Sequence, residues 1–337
     1  NIDYYKNILR DRSVSHPQLC QEIHAPKPAA DASSNIPFTF VIGADTQLGS
    51  LNEWETELQY CEKAIRYINS METKPAFVCM CGDLVDMHAD LFPTVKTKEW
   101  RDQTQREQFH DFQSVWKKLN PTIPLVCLCG NHDVGNQPTK GSIDNYKSFF
   151  GDDYFAFWCN SCYFVCVNSN IYFDNSNVEE EYALQHAWLE ERLQYACDMN
   201  ARKIFLCGHH PWFLYDENET AEALTGINSF MARGEEHLVP DAYFSVPPSR
   251  RAPVLALCKQ YGVTACFSGH YHQNLVSRTS WGMPVIVTGA ICNILLKSDA
   301  KDLSNPLNVT PAAGVRVVTV DEAACDEGFV HSYEPIC

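Results

Sequence analysis

The chain has 337 residues, of which 45% are hydrophobic and 12% aromatic, enough apolar material for a buried core and far from the composition of a disordered polymer. Its formal charge of -16 at pH 7 argues against a nucleic-acid or anionic-membrane surface, because such partners are held by patches of Lys and Arg. Any anionic ligand would have to be drawn in by a local feature rather than by global charge. No stretch is long and apolar enough to span a bilayer, and none reads as a signal peptide. The expected partners therefore exclude nucleic acid and membrane, and the chain is expected to be a monomer.

Residues 1–36 mix charges, Pro and Ser without a period and end in PKPAADASSN, which predicts a peripheral lead-in. FTFVIGAD then reads as a short strand that delivers a polar residue, Asp45, at its end. Trp54, Leu58, Cys61, Ile65 and Ile68 recur at spacings of four and three, one apolar stripe of a helix. PAFVCMCGD repeats the strand pattern, Phe109, Phe112, Trp116 and Leu119 mark a second helix, and PLVCLCGNHD is the next strand. The segment 154–167 predicts an aromatic-rich hairpin turning at Asn160 and Ser161, so antiparallel strands join the parallel ones. A helix from about 179 to 198, the strand KIFLCGHHP, a helix near 252–261 and the strand VTACFSGHYH continue the rhythm, and MPVIVTGAI, GVRVVTV and GFVHSYE add strands without intervening helices. The stretch 215–250, first acidic and then carrying PSRR, predicts a long surface loop or lid.

Sixteen cysteines first suggest a disulfide framework, but many lie inside apolar runs, and Cys79 with Cys81 and Cys127 with Cys129 occupy alternate positions of strands. Buried thiols imply a reducing, cytoplasmic setting.

Five strands end in polar signatures: GADTQ, GDLVD, GNHD, GHH and GHYH. The carboxyl ends of strands in open α/β sheets line one crevice, so residues remote in sequence converge there. Asp, Gln, Asn and His supply oxygen and nitrogen donors, which suit hard-to-borderline divalent metals and not a thiolate zinc or copper site. Asp45 or Asp83 alone would be an ordinary turn or cap; together the five segments point to a metal centre. Because the motifs run from 45 to 272, one domain over 37–337 is expected, although length alone suggests two.

The five segments resemble the motifs of the calcineurin-like metallophosphoesterases. More narrowly, GADTQLG, GNHDVGNQPT, GDDYFAFW, VNSNIYF and FSGHYHQN are similar to the calcineurin-like phosphoesterase domain-containing protein 1 group, over about 37–320, a group regarded as Ser/Thr phosphoprotein phosphatases. The resemblance implies a four-layer α/β/β/α sandwich of two mixed sheets flanked by helices. It implies two divalent ions, one held by Asp45, Gln47 and His272, the other by Asn131, His209 and His270, with Asp83 bridging them. A metal-bridging hydroxide would attack, His132 would act as general acid, and Asp86 would orient it. Mn2+ or Mg2+ is favoured, with Zn2+ or Fe as the other candidates, since Gln47 stands where many relatives have His and is a neutral, weaker donor.

Where the well-known protein phosphatases place a phosphate-binding Arg after GDxxD, this chain has Met87. The phosphate contacts are therefore expected from Asn131 and His132, with Arg250, Arg251, His210, Asn168 and Tyr172 as further candidates. The expected reaction is hydrolysis of phosphoserine or phosphothreonine in proteins. The alternatives are a phosphodiesterase or nucleotide hydrolase, and a non-catalytic protein-binding scaffold.

Overall fold

The run FTFVIG forms strand β1 (Phe38–Gly43), followed in the same sheet by β2 (Val78–Cys81) and β3 (Leu125–Leu128). Every residue of β2 and β3 is buried, as expected of parallel strands covered on both faces. The computed structural model describes residues 36–50, 54–88, 90, 91, 94, 96–232, 235–292, 296–297 and 312–336. Apart from Ile36, the expected lead-in lies outside the described residues.

Sheet one has the order β14-β13-β1-β2-β3, with β13 (Gly314–Val320) antiparallel to β1 and β14 (Phe329–Pro335) antiparallel to β13. Sheet two comprises β4 (Phe155–Cys159), β5 (Cys162–Cys166), β6 (Ile204–Cys207), β9 (Ala265–Ser268), β10 (Leu275–Arg278) and β11 (Pro284–Val287), in the order β10-β11-β9-β6-β5-β4. Its strands β5, β6, β9 and β11 are parallel, and antiparallel β4 and β10 form its edges. The β4–β5 hairpin turns at Asn160 and Ser161, whose φ values of 45° and 63° are the pair of left-handed residues a tight hairpin demands.

Alternation along the strands separates two cores. Phe164, Phe205 and Phe267 face sheet one, where Phe40 meets Phe164 edge-on at 5.2 Å and Phe267 edge-on at 5.8 Å. Their neighbours Tyr163, Val165, Leu206 and Cys266 face outward and are covered by helices at Glu179–Asp198 and Pro248–Gln260 through Leu189, Leu193, Val254 and Cys258. Helices at Trp54–Ser70 and Lys98–Trp116 cover the outer face of sheet one through Cys61, Ile65, Ile68, Phe109, Phe112 and Trp116. The result is the expected four-layer sandwich, and each fully buried Phe contributes roughly 1.5–3 kcal/mol of apolar burial.

Among the differences from the sequence expectation are a helix at Lys140–Phe150 and the strand β10, which the pattern does not mark, and two changes between 215 and 261. The helix expected at 252–261 begins at Pro248, because proline is compatible with the first helical turn. The stretch 215–250 contains a hairpin of β7 (Ile227–Ala232) and β8 (Glu235–Pro240), which pairs with β12 (Leu296–Lys297) in a third, small sheet. Its alternation is broken by charges and Gly, so the stretch reads as a loop. Among the described residues, all fourteen cysteines carry free thiols, and no helix is long and apolar enough to cross a membrane.

Candidate metal centre

Asp45 and Gln47 follow β1, Asp83 follows β2, Asn131 follows β3, His209 follows β6, and His270 and His272 follow β9. All seven thus leave the carboxyl ends of the parallel strands of both sheets, and their side chains meet in the interior. Asp45, Asn131 and His209 are 0% exposed and none of the others exceeds 5%. Five of them, Asp45, Gln47, Asp83, His270 and His272, have φ between 34° and 66°. Non-glycine residues rarely adopt this backbone, each instance is costly, and such instances gather at functional sites.

The preceding glycines are sterically required. A Cβ on Gly82, whose φ is +84°, would lie 2.6 Å from His209 Nδ1, and one on Gly130 would lie 2.1 Å from Asp83 Oδ1. Buried Asp133 fastens the loops after β2 and β3 by accepting from Gly130 N–H at 2.7 Å and Leu84 N–H at 3.1 Å. Burial first, and the charge of Asp83 second, push its carboxyl up to about 7. Gln105 and Gln108, on the covering helix, hold the same loops through the carbonyls of His132 and Asp133 and the amide of Met87.

The donor atoms converge in two groups. His209 donates from Nδ1 to the carbonyl of Cys81 at 2.8 Å, which directs its Nε2 lone pair inward. That Nε2 lies 3.0 Å from Asn131 Oδ1, 3.1 Å from His270 Nδ1 and 3.3 Å from Asp83 Oδ2. On the other side, His272 Nε2 lies 3.5 Å from Asp45 Oδ1, and Asp45, Asp83 and His272 form a second set of converging donors. Asp83 belongs to both sets. Acceptor atoms packed this closely need positive charge between them, either a proton on His209 or a bound cation.

The electrostatics state the same demand. Burial alone would lower the pKa of His209, yet Asp83 and Asp45 raise it to about 9. Burial opposes the charge of Asp83, but His209 and His132 outweigh it and hold the carboxyl below the usual range. Asp45 is pushed well up, first by burial. Gln47 is the exception in geometry. It presents its amide nitrogen to Asp83 Oδ2 at 3.2 Å, so its carbonyl oxygen reaches a cation only after a turn of the terminal amide.

His132 sits beside Asp83, whose Oδ1 accepts its backbone N–H at 2.8 Å. Its Nδ1 lies 2.7 Å from the backbone carbonyl of Asp86 and 3.4 Å from that residue's carboxylate. Burial works against the charged ring, but Asp83 and then Asp86 raise its pKa to about 10. Asp86 therefore orients the imidazole chiefly through its backbone and charges it through its side chain.

The further substrate candidates divide. His210 lies next to the centre, its ring centroid 4.3 Å from that of His270 and stacked on Phe173. Ser169, which sequence reasoning missed, accepts the N–H groups of His209 and His210 at 3.0 and 2.8 Å and lies 3.1 Å from His210 Nδ1. Asn168 and Tyr172 do not border the cleft. Asn168 is buried and spends its amide on Asp153 and Asn170, whereas Tyr172 is packed in the outer core against Tyr182 and Trp212.

Arg251 is also a correction. It is 1% exposed and donates to the carbonyls of Glu217, Val246 and Glu219, so its role is to brace the 217–219 turn. Arg251→Ala is expected to destabilise the fold by about 2 kcal/mol or more, because buried carbonyls lose their donor, and to leave inhibition by inorganic phosphate unchanged in a competition assay. Arg250, half-buried, pairs with Asp174 at 3.8 Å and donates to the carbonyl of Phe173.

The 215–250 stretch is tied across the centre. Asp241 accepts from Tyr271, between the ligand-like His270 and His272, at 3.1 Å. Tyr243 reaches Asn131 at 3.2 Å. Its phenol is pushed up to about 12, mainly by burial, and stays neutral.

The family model described as Calcineurin-like phosphoesterase matches residues 38–274. This chain belongs to that family. The protein is thus a metallophosphoesterase, and the family's divalent-metal chemistry suits the oxygen and nitrogen donors assembled here. It is 31% identical over 312 residues to serine/threonine-protein phosphatase CPPED1 of Danio rerio, covering 89% of this chain and 85% of that protein. It is 32% identical to the Homo sapiens protein of the same name, covering 76% of this chain and 75% of that one. In fold it is similar to purple acid phosphatase PPD1 of yellow lupin, Lupinus luteus, with a TM-score of 0.58 and 13% identity; the match covers 89% of this chain and 52%, about half, of that one. A dimetal phosphatase of Danio rerio gives a TM-score of 0.51 at 13% identity, covering 84% of this metallophosphoesterase and 95% of that chain.

Proposed function

We propose that this metallophosphoesterase hydrolyses phosphomonoesters, with phosphoserine and phosphothreonine of proteins as substrates, on a centre of two divalent ions, Mn2+ or Mg2+. The observation that carries this reading is the pair of converging donor sets that share Asp83, with His132 beside them. Asp45, Gln47 and His272 would hold one ion and Asn131, His209 and His270 the other. When bound, the ions supply an activated water and offset the charge of the phosphoryl oxygens. They also solve the problem set by the acidic chain, since an anion is then attracted by the centre alone.

The rest of the chemistry belongs to side chains. With Nδ1 of His132 fixed by Asp86, Nε2 is the nitrogen that gives a proton to the leaving alkoxide. The neighbouring carboxylates keep that proton in place through neutral pH. The protein substrate is supported by the relatives, which bear the name serine/threonine-protein phosphatase. The fourteen free thiols support a reducing, cytoplasmic setting.

Protein loaded with Mn2+ is expected to turn over p-nitrophenyl phosphate and phosphoserine peptides much faster than bis(p-nitrophenyl) phosphate. A faster rate on the bis ester, or on nucleotides than on phosphopeptides, would replace this reading with the diesterase or nucleotide hydrolase.

A further inference from the structure

The side-chain amide of Asn131 has two ends, and the structure uses them differently. Its Oδ1 lies 3.0 Å from His209 Nε2, within the donor set that includes Asp83 and His270. Its Nδ2 donates at 3.2 Å to the hydroxyl of Tyr243, which in turn donates at 3.1 Å to Oδ1 of Asn136. The three groups form a directed chain: the phenol oxygen accepts from one amide and gives its proton to the other. Reversing the Asn131 amide would set an N–H among the cation donors and turn a carbonyl oxygen toward a phenol oxygen whose proton is already committed.

Tyr243 is held in place from several sides. It lies at the end of the short helical turn Asp241–Tyr243 that follows β8. Its ring meets those of Phe173 at 6.2 Å, Phe244 at 5.2 Å and His270 at 5.2 Å. Asp241, two residues earlier, is anchored by Tyr215, Asn228 and Tyr271. The hydroxyl thus reaches Asn131 from a segment more than a hundred residues away in sequence, on a turn whose position is determined by other contacts.

We infer that Tyr243 is a positioning residue that fixes the side-chain amide of Asn131 with its oxygen toward the metal centre, with Asn136 as the acceptor that sets the direction of the phenol proton. This rests on the reading of Asn131 as a metal ligand. It also gives the β7–β8 excursion a chemical role: it carries the group that selects one of the two amide orientations.

The inference is tested by titrating metal-free full-length protein with Mn2+ in a calorimeter, alongside thermal unfolding of the metal-free form. Tyr243→Phe keeps the ring and removes only the hydroxyl. Its Mn2+ affinity at one of the two sites is expected to fall about 10- to 100-fold, the usual effect of removing a group that orients a ligand, while the other site is unchanged. Asn136→Ala should weaken the same site in the same direction but less, and it covers the case in which the first variant folds poorly. A merely structural role would lower the unfolding temperature and leave Mn2+ affinity as in the wild type, and that outcome in both variants overturns the inference. Asn131→Ala separates the underlying reading: if it binds Mn2+ as the wild type does, Asn131 is not a ligand and the inference falls with it. Loss of affinity in Asn131→Ala without loss in Tyr243→Phe and Asn136→Ala refutes the positioning role alone.

Discussion

Replacing His132 with Ala is expected to lower kcat on a phosphoserine peptide by about a hundred- to ten-thousand-fold while leaving the metal content of the protein unchanged. The separation follows from geometry. The backbone N–H of His132 donates to Asp83 Oδ1 at 2.8 Å, and alanine preserves that bond. The Nδ1 of the imidazole is engaged by Asp86, at 2.7 Å to the backbone carbonyl. What alanine removes is the proton donor. The loss should be greatest for leaving groups of high pKa, such as the serine alkoxide, and smaller for p-nitrophenolate, which needs little protonation. Equal losses on both substrates, or loss of metal, would move His132 from acid to structural support.

The second large effect is expected of Asp83→Asn, which should lose both metals together. Asp83 is the residue common to the two donor sets, and an amide offers one oxygen where the carboxylate offers two and carries no charge. Mn2+ affinity should fall at both sites by at least about 100-fold, the upper end of what loss of a merely supporting group causes. Phosphatase activity should fall to background. The metal-free fold should be weakened but retained: the remaining oxygen can still accept from His132 N–H, while His209 and His132 lose the charge that holds their protons. Element analysis after dialysis together with a melting curve checks this. A variant that retains one or both metals would defeat the shared role of Asp83.

Much of this site was legible in the sequence because ligand type and strand end coincide locally. Each of the five polar signatures follows a short apolar run and a glycine, so Asp45, Asp83, Asn131, His209, His270 and His272 announce themselves within a few residues of a strand boundary. The helices over 54–70 and 179–198 were equally plain from their apolar stripes. The hairpin at 227–240 was not, since Ile227–Ala232 shows no strict alternation and its return strand begins with the adjacent charges Glu235 and Glu236.

The substrate candidates show where local reading stops. Arg250 and Arg251 are neighbours in the same helical turn. One is turned to the rim beside Asp174, and the other is buried under three carbonyls. Nothing in PSRR distinguishes them, because the difference lies in which face of the helix meets the 217–219 turn. Asn168 and Tyr172 likewise share a motif with Ser169, yet only Ser169 touches the ligand loop.

Taken alone, the sequence determined the chemistry of the donors, their order along the chain and the alternation of strands and helices, since these follow from residue type and period, and the family resemblance implied the layered sandwich. The shared place of Asp83 was already implied by the family resemblance; only the tertiary structure decided that Asp133 and Ser169 secure the ligand loops and that Tyr243 reaches Asn131. Those contacts, and that of Asp45 with His270, join segments from about forty to more than two hundred residues apart. They depend on the order of strands in two sheets and on how the sheets pack, which no local pattern encodes.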